Sequence, residues 1–405
     1  MKPPKNFIAE PFAYHEEIEL LIEDLTNLGQ GVGRIDNWVV FVPFVLPGER
    51  VRARVWRNKK QYSEADLVGI IESSPDRVEP ECQHFATCGG CQYQHYAYSA
   101  QLQWKQRQIE QLLKKMAGLE LSVNPTLGCK EQTYHYRSKI TPHFRRPPHL
   151  PDTPIGFQKA WSRAILDIEQ CPIASPAINA ALPAARAHLK SGARTYKKGG
   201  TLLMRDSVEG VINDMRATAC EKVGQFSFEF VAGEFFQNNP HVLPLMVDYA
   251  LGKAAGDDVD FLVDAYCGVG VFGICGHEQF KQVHGIEVSE RAVELARGNA
   301  KANSIDNIRF TLGSAEAIFQ DLVFPPERTV ILMDPPRKGS DERFLGQLLE
   351  FGPKRIVYVS CGPDTQARDI GFLLNGPYAV VDVQPVDLFP QTRHIENVMT
   401  LRRKD

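Results

Sequence analysis

The stretch that decides the fold runs from Phe261 to Gly270 and reads FLVDAYCGVG. Its first half is apolar, which is typical of a buried strand, and the carboxylate of Asp264 stands near the end of that strand. Glycines follow at positions 268 and 270. Because glycine lets the backbone turn sharply and approach a ligand closely, the stretch predicts a strand that runs into a glycine turn.

A second strand with an acid at its end follows roughly twenty residues later, from Val283 to Glu287. A carboxylate in this place can accept hydrogen bonds from both hydroxyls of a ribose. The two strands, the turn and the acid therefore predict a site for a nucleoside-bearing cofactor. The absence of a complete GxGxxG favours S-adenosylmethionine over a dinucleotide. In the alternative interpretation the glycines only make tight turns.

Two more apolar strands end in polar groups. One covers Val330–Asp334 and continues into the loop Asp-Pro-Pro-Arg-Lys-Gly, and the other covers Arg355–Val359 and is followed by Ser360 and Cys361. The alternation of strands and helices after residue 240 predicts a parallel sheet, whose ligands bind at the carboxyl ends of the strands. A thiol at this edge is either a nucleophile or a small buried apolar group.

The first 73 residues contain short strands separated by Gly and Pro turns, which predicts a small β-barrel. From Arg50 to Lys60 there are six basic residues and no acidic one. Arg52 and Arg54 alternate with apolar residues, so one face would be packed and the other presented to a polyanion such as RNA. A charge run of this kind is also common on a merely solvated face.

Three cysteines, Cys82, Cys88 and Cys91, lie within ten residues, and Cys171 follows later before Pro-Ile. The amino terminus has no signal-peptide pattern, and no apolar run approaches the roughly 20 residues of a membrane span. We therefore expect a cytoplasmic protein, in which grouped cysteines suggest a metal before a disulfide. Four thiolates suit zinc or an iron-sulfur cluster equally, and their spacing does not choose.

With Asp334, Cys361 and Glu396, the last of these in His394-Ile-Glu-Asn-Val398, the chain resembles the class I RNA 5-methyluridine methyltransferases over nearly its whole length. The resemblance implies three domains. They are an OB-like TRAM β-barrel that binds RNA (1–73), a central α+β iron-sulfur domain (74–240) and an α/β Rossmann-like methyltransferase domain (241–405).

The resemblance also implies roles for individual residues. Cys361 would be the nucleophile that adds to C6 of a uracil, and Glu396 the base that removes the C5 proton. Asp334 would orient the uracil edge. Cofactor contacts would come from Gln237, Tyr266, Gly268, Glu287 and Asp334. A [4Fe-4S] cluster would be held by Cys82, Cys88, Cys91 and Cys171, and RNA would be contacted by Arg52, Arg54, Arg137 and Lys139.

The expected reaction is methyl transfer from S-adenosylmethionine to C5 of a uridine in 23S rRNA by a monomeric enzyme. Relatives that carry both barrel and cluster act on large-subunit ribosomal RNA or on transfer RNA, and the Asp334–Gly339 loop resembles the ribosomal branch. Transfer RNA is the first alternative. An amino-group methyltransferase is the second, although its Asp-Pro-Pro-like loop would be followed by an aromatic residue where this chain has Arg337. A non-catalytic RNA-binding protein is the third.

Overall fold

The computed structural model describes residues 3–192, 196–313, 319 and 322–404. The chain forms two compact units. Unit 1 comprises residues 1–101, 157–166 and 391–393, and unit 2 comprises residues 102–156, 167–390 and 394–405. The division into three domains at residues 73 and 240 stays a prediction.

Unit 1 contains a closed β-barrel. Its described strands are β1 (Glu17–Leu25), β2 (Gln30–Ile35), β3 (Trp38–Pro43), β4 (Arg50–Asn58) and β5 (Tyr62–Glu72), and they lie in the order β1-β2-β3-β5-β4. Along β4 the side chains of Val51, Ala53 and Val55 are buried, whereas Arg50 and Arg52 are exposed. Successive side chains of a strand point to opposite faces, so this alternation confirms the predicted barrel with arginines outside.

Short strands follow the barrel along the chain. They are β6 (Lys139–Ile140), β7 (His143–Phe144), β8 (Gly156–Gln158), β9 (Ile165–Asp167), β10 (Gly200–Thr201), β11 (Met204–Ser207), β12 (Gly210–Ile212), β13 (Thr218–Val223) and β14 (Phe226–Val231). In unit 2, β11 pairs antiparallel with β6 and with β12, and β13 forms a hairpin with β14. The register of β6 and β11 places Lys139 directly opposite Arg205.

The main sheet of unit 2 has seven described strands. They are β15 (Phe261–Ala265), β16 (Gln282–Glu287), β17 (Ile308–Leu312), β18 (Thr329–Met333), β19 (Arg355–Ser360), β20 (Tyr378–Val386) and β21 (Glu396–Arg403), in the order β17-β16-β15-β18-β19-β21-β20. Strands β15 to β19 are parallel, and β21 is antiparallel to both of its neighbours. The strand order reverses at β15, where sheets of this type bind ligands.

Helices cover both faces of this sheet. The described helices are α1 (Tyr98–Leu112, continued by the π-helical turn Leu113–Ala117), α2 (Pro176–Lys190), α3 (Leu243–Ala254), α4 (Val271–Gly276), α5 (Glu290–Ala302), α6 (Glu342–Phe351) and α7 (Pro363–Leu373), with described 3₁₀ turns at His277–Gln279 and Pro326–Arg328. Val263 and Ile331 pack in one core, while Leu262 and Leu332 pack in the other. Burial on both faces explains the continuous apolar strands and confirms the Rossmann-like prediction. Among the described residues, none of the helices has the length and apolar character to cross a membrane.

Candidate active site

A cleft of ≈ 1200 Å³ opens in unit 2 beside the residues that directly follow β15, β16, β18 and β19. It is lined by every residue that the sequence analysis assigned to catalysis or to cofactor binding: Gln237, Tyr266, Gly268, Glu287, Asp334, Cys361 and Glu396. Pockets for one small ligand have volumes of about 300–1000 Å³. The cleft therefore has room for a nucleoside cofactor together with a second planar group.

The glycine turn after β15 is held by the acid at the end of β16. Tyr266 and Gly268 have positive φ angles of 63° and 53°. At Gly268 this backbone conformation costs little free energy, because glycine has no Cβ atom. The backbone N–H of Gly268 donates to Oε2 of Glu287 at 3.1 Å, and the N–H of Ser289 donates to Oε1 at 2.9 Å. A carboxylate has about four lone-pair sites, so Glu287 can brace the turn and still accept from ribose hydroxyls.

The open side of this turn faces the cleft. A Cβ atom built on Gly268 would meet no atom within 4 Å, so the backbone of Gly268 borders empty space. Tyr266 donates its hydroxyl hydrogen to Oγ of Ser340 at 3.4 Å, which links the turn to the loop that follows Asp334. The open backbone and the Glu287 carboxylate fit a nucleoside cofactor such as S-adenosylmethionine.

Cys361 lies between the end of β19 and the amino terminus of α7, which begins at Pro363. The positive end of a helix dipole favours a thiolate, and a hydrogen bond from Arg337 lowers the pKa of Cys361 as well. Burial, followed by the negative charges of Glu396 and Asp334, outweighs both effects and raises the pKa of Cys361 to about 11. The thiol is thus protonated at neutral pH in the substrate-free protein.

Glu396 reaches the same edge because β21 runs antiparallel to β19. The register pairs Ser360 with Asn397, so one further step along both strands brings Cys361 and Glu396 side by side. The side chain of Glu396 is 2% exposed. Burial raises the pKa of Glu396 well above its usual value, Asp334 adds to this effect, and the cations Arg337 and Lys105 oppose it.

Asp334 directly follows β18, and burial raises its pKa to about 7. The tandem prolines after it fix φ of the next two residues and keep the loop stiff. Farther along the loop, the N–H of Ser340 donates to Oδ2 of Asp369 in α7 at 2.8 Å. The same carboxylate oxygen accepts from the hydroxyl of Tyr358 at 2.8 Å. The Asp369 carboxylate of α7, the helix that follows Cys361, therefore also holds the loop that follows Asp334.

Three residues near the site, Arg337, His394 and Lys105, were not assigned a function from the sequence. Nη2 of Arg337 lies 2.7 Å from Nδ1 of His394, and the cation of Lys105 acts on Glu396. Arg337 stands next to the Asp-Pro-Pro motif, which is a signal that could have identified it. Lys105 gives no such signal, because its partner Asp387 lies 282 positions away in the chain.

The residues predicted to bind RNA are placed in different environments. Nζ of Lys139 donates to backbone carbonyls beside the cleft, and the guanidinium of Arg137 lies 5.4 Å from the ring centre of Phe389. On the barrel, Arg52 pairs with Glu19 at 3.9 Å and Arg54 pairs with Asp66 at 3.7 Å. Acids interleave with these arginines across neighbouring strands, which the local sequence of β4 did not indicate. Contact of all four residues with RNA stays a prediction.

The four cysteines predicted to hold a cluster are free thiols in the structure. Cys82, Cys88 and Cys91 belong to unit 1, whereas Cys171 belongs to unit 2. Burial raises the pKa of Cys88, and the charge of Cys82 contributes to this rise. Within the described ranges, no group of three or more His, Cys, Asp or Glu side chains is arranged to hold a metal ion. The structure thus gives no support to the predicted [4Fe-4S] site.

Comparison with known proteins agrees with this geometry. Residues 213–404 match the family model described as tRNA (uracil-5-)-methyltransferase, and residues 15–68 match the TRAM domain. The chain is 41% identical to the tRNA (uracil(54)-C(5))-methyltransferase of Schizosaccharomyces pombe, over 97% of this chain and 79% of that protein. The chain belongs to the tRNA (uracil-5-)-methyltransferase family. The protein is accordingly an S-adenosylmethionine-dependent RNA uracil-C5 methyltransferase, as the sequence resemblance implied.

Two further proteins extend the comparison of this methyltransferase. The tRNA (uracil(54)-C(5))-methyltransferase of Saccharomyces cerevisiae is 34% identical, over 96% of this chain and 74% of that protein. The crystal structure of Pyrococcus abyssi tRNA (uracil-54, C5)-methyltransferase in complex with S-adenosyl-L-homocysteine has a TM-score of 0.73 and 25% identity, and it covers 95% of this chain and 99% of that one. The likeness therefore extends through both the barrel and the methyltransferase sheet.

Proposed function

We propose that this methyltransferase modifies C5 of a uridine in transfer RNA, with Cys361 as a covalent nucleophile and Glu396 as the base. The proposal is carried by the adjacent placement of Cys361 and Glu396, with Asp334, in the cofactor cleft. Uracil C5 is a poor nucleophile, and addition of a thiolate to C6 turns C5 into an enolate-like carbon. A thiolate suits this task because it adds readily and leaves again.

The reaction begins when the Cys361 thiol loses its proton to solvent and the resulting thiolate forms a bond to C6, while the electron pair of the C5=C6 double bond moves into the ring as an enolate. The hydrogen bond from Arg337 to the thiol favours the thiolate. When bound, S-adenosylmethionine supplies the electrophilic methyl group that C5 accepts. Glu396 then takes the proton from C5, the double bond re-forms, and the bond between C6 and sulfur breaks to restore the thiolate.

Other cleft residues divide the remaining tasks. Glu287 would accept from the ribose hydroxyls, and Gln237 would contact the methionine part of the cofactor. Asp334, when ionised, would accept a hydrogen bond from N3–H of the uracil and hold its edge. A uridine within folded RNA reaches such a cleft only when it is extruded from its stack, so we expect base flipping.

The three named relatives support transfer RNA over the 23S rRNA that we expected from the Asp334–Gly339 loop. Each is named for uracil 54 of transfer RNA. The proposed substrate is therefore uridine 54. The ribosomal expectation rested on one short loop, whereas the relatives resemble this chain over nearly its full length.

The test is incubation with labelled S-adenosylmethionine and unmodified transfer RNA or 23S rRNA, followed by nucleoside analysis. We expect 5-methyluridine in transfer RNA, none in a matched transfer RNA with cytidine at position 54, and none with Cys361→Ala. Label in 23S rRNA alone would overturn the substrate and keep the chemistry. Full activity of Cys361→Ala would overturn the covalent mechanism.

We retain the [4Fe-4S] cluster as a separate proposal, which rests on the resemblance of the segments around Cys82, Cys88, Cys91 and Cys171 to those of cluster-bearing relatives. No step of the reaction depends on it. Iron and acid-labile sulfide should be measured after anaerobic purification of wild type, Cys88→Ser and, as a matched control, Cys220→Ser. We expect iron and sulfide in wild type and the control, with loss in Cys88→Ser. Protein with zinc, or with neither metal, would contradict the proposal.

A further inference from the structure

Two cations stand directly opposite each other beside the cleft. The antiparallel register of β6 and β11 pairs Lys139 with Arg205, and directly opposed side chains of two strands lie on the same face, with Cβ atoms about 5 Å apart. Like charges in this arrangement are destabilising. Acceptors on that face must therefore offset their repulsion.

The acceptors for Lys139 are carbonyl oxygens of the segment 232–238, which we call the clamp loop. Nζ of Lys139 donates to the carbonyls of Gly233 at 3.1 Å and Glu234 at 3.0 Å. A hydrogen bond from a charged donor is stronger than one between neutral groups. The Lys139 ammonium thus donates hydrogen bonds to the backbone of the clamp loop.

Arg205 forms further hydrogen bonds to the same loop. Nη1 donates to Oδ1 of Asn238 at 3.0 Å, and Nε lies 3.5 Å from the carbonyl of Ala232. The guanidinium is buried and lies 5.0 Å from the ring centre of Phe230. The N–H of Ser138 donates to the carbonyl of Asn238 at 2.9 Å. Both ends of the clamp loop are therefore fixed to β11 and to the residue before β6.

The clamp loop carries part of the cofactor cleft. It connects β14 to the segment before α3, and Phe235, Phe236 and Gln237 line the cleft. Residues 232–238 lie outside helices and strands, so their position depends on packing and on hydrogen bonds to other parts of the fold. Arg205 supplies a donor to Asn238, the residue next to Gln237, and Lys139 supplies donors to Glu234 and Gly233, three and four residues before Gln237.

We propose that Lys139 and Arg205 are positioning residues for S-adenosylmethionine, because they hold the clamp loop in the place where Gln237 meets the cofactor. The inference rests on the proposed contact of Gln237 with the methionine part. It assigns to Lys139 a role in cofactor binding in place of the RNA contact expected from the sequence.

The charges around Lys139 make this role sensitive to pH. Arg205 and Arg137 face Lys139, and Glu221 faces Arg205. Burial, with a contribution from the two arginines, lowers the pKa of Lys139 to about 8. The ammonium therefore loses its proton as the pH rises through about 8, and its bonds to the two carbonyls lose their charge assistance. Cofactor affinity should weaken over the same interval.

The test is calorimetric titration of S-adenosylmethionine into the full-length protein without RNA. Lys139→Met should weaken binding about tenfold, as expected for loss of a charge-assisted hydrogen bond. Lys139→Arg, which keeps the charge and the donors, should restore most of the affinity. Affinity for transfer RNA should change less than twofold in both variants. In wild type the cofactor affinity should fall between pH 7 and pH 9, and in Lys139→Met the fall over the same interval should be smaller.

A different set of results would identify contact with RNA as the role of Lys139. If Lys139→Met binds the cofactor as wild type does but binds transfer RNA more weakly, with a salt slope reduced by about 1, Lys139 contacts a phosphate and the inference is wrong. Gln237→Ala is measured in parallel. Unchanged cofactor affinity in Gln237→Ala would contradict the proposed role of Gln237, whereas the Lys139 measurements test the clamp itself. The pH titration is made on the wild-type protein, so its result does not depend on whether a variant folds.

Discussion

Lys105 and Asp387 form an ion pair in unit 2 that has no exposed side-chain surface. Nζ of Lys105 lies 2.6 Å from Oδ1 of Asp387, and both side chains are 0% exposed. The same ammonium donates to the carbonyl of His394 at 2.9 Å. A residue of α1 thus anchors the segment that leads into Glu396, and its charge opposes the rise in the pKa of Glu396.

Lys105→Met should strongly destabilise the protein, because it leaves the Asp387 carboxylate buried without a partner. Breaking a buried pair in this way costs about 3–5 kcal/mol. The free energy of unfolding in urea measures the loss. Lys114→Met is the matched control, since its pair with Glu120 is largely exposed and such pairs contribute about 0–1 kcal/mol. Equal losses in the two variants would contradict the prediction.

Glu396→Gln should trap the RNA on the enzyme. The variant keeps the size of the side chain but lacks the carboxylate that we propose as the acceptor of the C5 proton, so the thiol should not be eliminated after methyl transfer. We expect a denaturation-resistant complex of protein and RNA that carries the labelled methyl group, detected by gel electrophoresis. Free 5-methyluridine product at the wild-type rate, with no complex, would exclude Glu396 as the base.

Formation of the covalent bond should become faster as the pH rises. The pKa of Cys361 lies at about 11, above its usual value, so the thiolate fraction at neutral pH is small and grows about tenfold per pH unit. The rate of adduct formation with RNA that contains 5-fluorouridine reports this step. We expect a continuous rise from pH 6 to pH 9. A plateau near pH 7 would show that RNA binding lowers the pKa of the thiol.

Arg337→Met should slow the same step at every pH, because Arg337 lowers the pKa of Cys361 and its removal leaves less thiolate. Arg291→Met, at an exposed position of α5, controls for the lost charge. Identical rates for the two variants would show that Arg337 does not act on the thiol.

The contribution of the barrel arginines to transfer RNA binding should depend on the acidic side chains beside them. Because Glu19 lies 3.9 Å from Arg52 on the neighbouring strand, it reduces the attraction of this face for phosphates. Glu19→Gln should strengthen transfer RNA binding, and Arg52→Gln should weaken it and reduce the salt slope by about 1. Glu278→Gln, an exposed change of the same charge in unit 2, controls for net charge. If neither barrel variant differs from this control, the arginine face does not bind RNA.

Much of the fold could be predicted because buried parallel strands are continuous apolar runs with polar residues at their carboxyl ends. Asp334, Glu287 and Cys361 each follow such a run, so their meeting at one edge was predictable from strand direction alone. The barrel was predictable for a similar reason, since β4 alternates buried and exposed side chains along its length.

The remaining features depend on pairings between distant parts of the chain. No local pattern shows that Lys139 faces Arg205, or that its ammonium binds the carbonyl of Gly233, because both contacts are set by register and loop path. Lys105 lies in a helix that is rich in polar residues, and its burial follows only from Asp387. The acid beside Arg52 likewise comes from β1, which neighbours β4 only in space.

The position of β21 also bears on how the enzyme is assembled during synthesis. The strands that carry the glycine turn, Asp334 and Cys361 all leave the ribosome before β21, which lies between β19 and β20 in the sheet. A nascent chain with its parallel strands folded therefore already carries the thiol but still lacks the carboxylate of Glu396. On the mechanism that we propose, the ability to release RNA from the enzyme is thus acquired only when the last described strand joins the sheet.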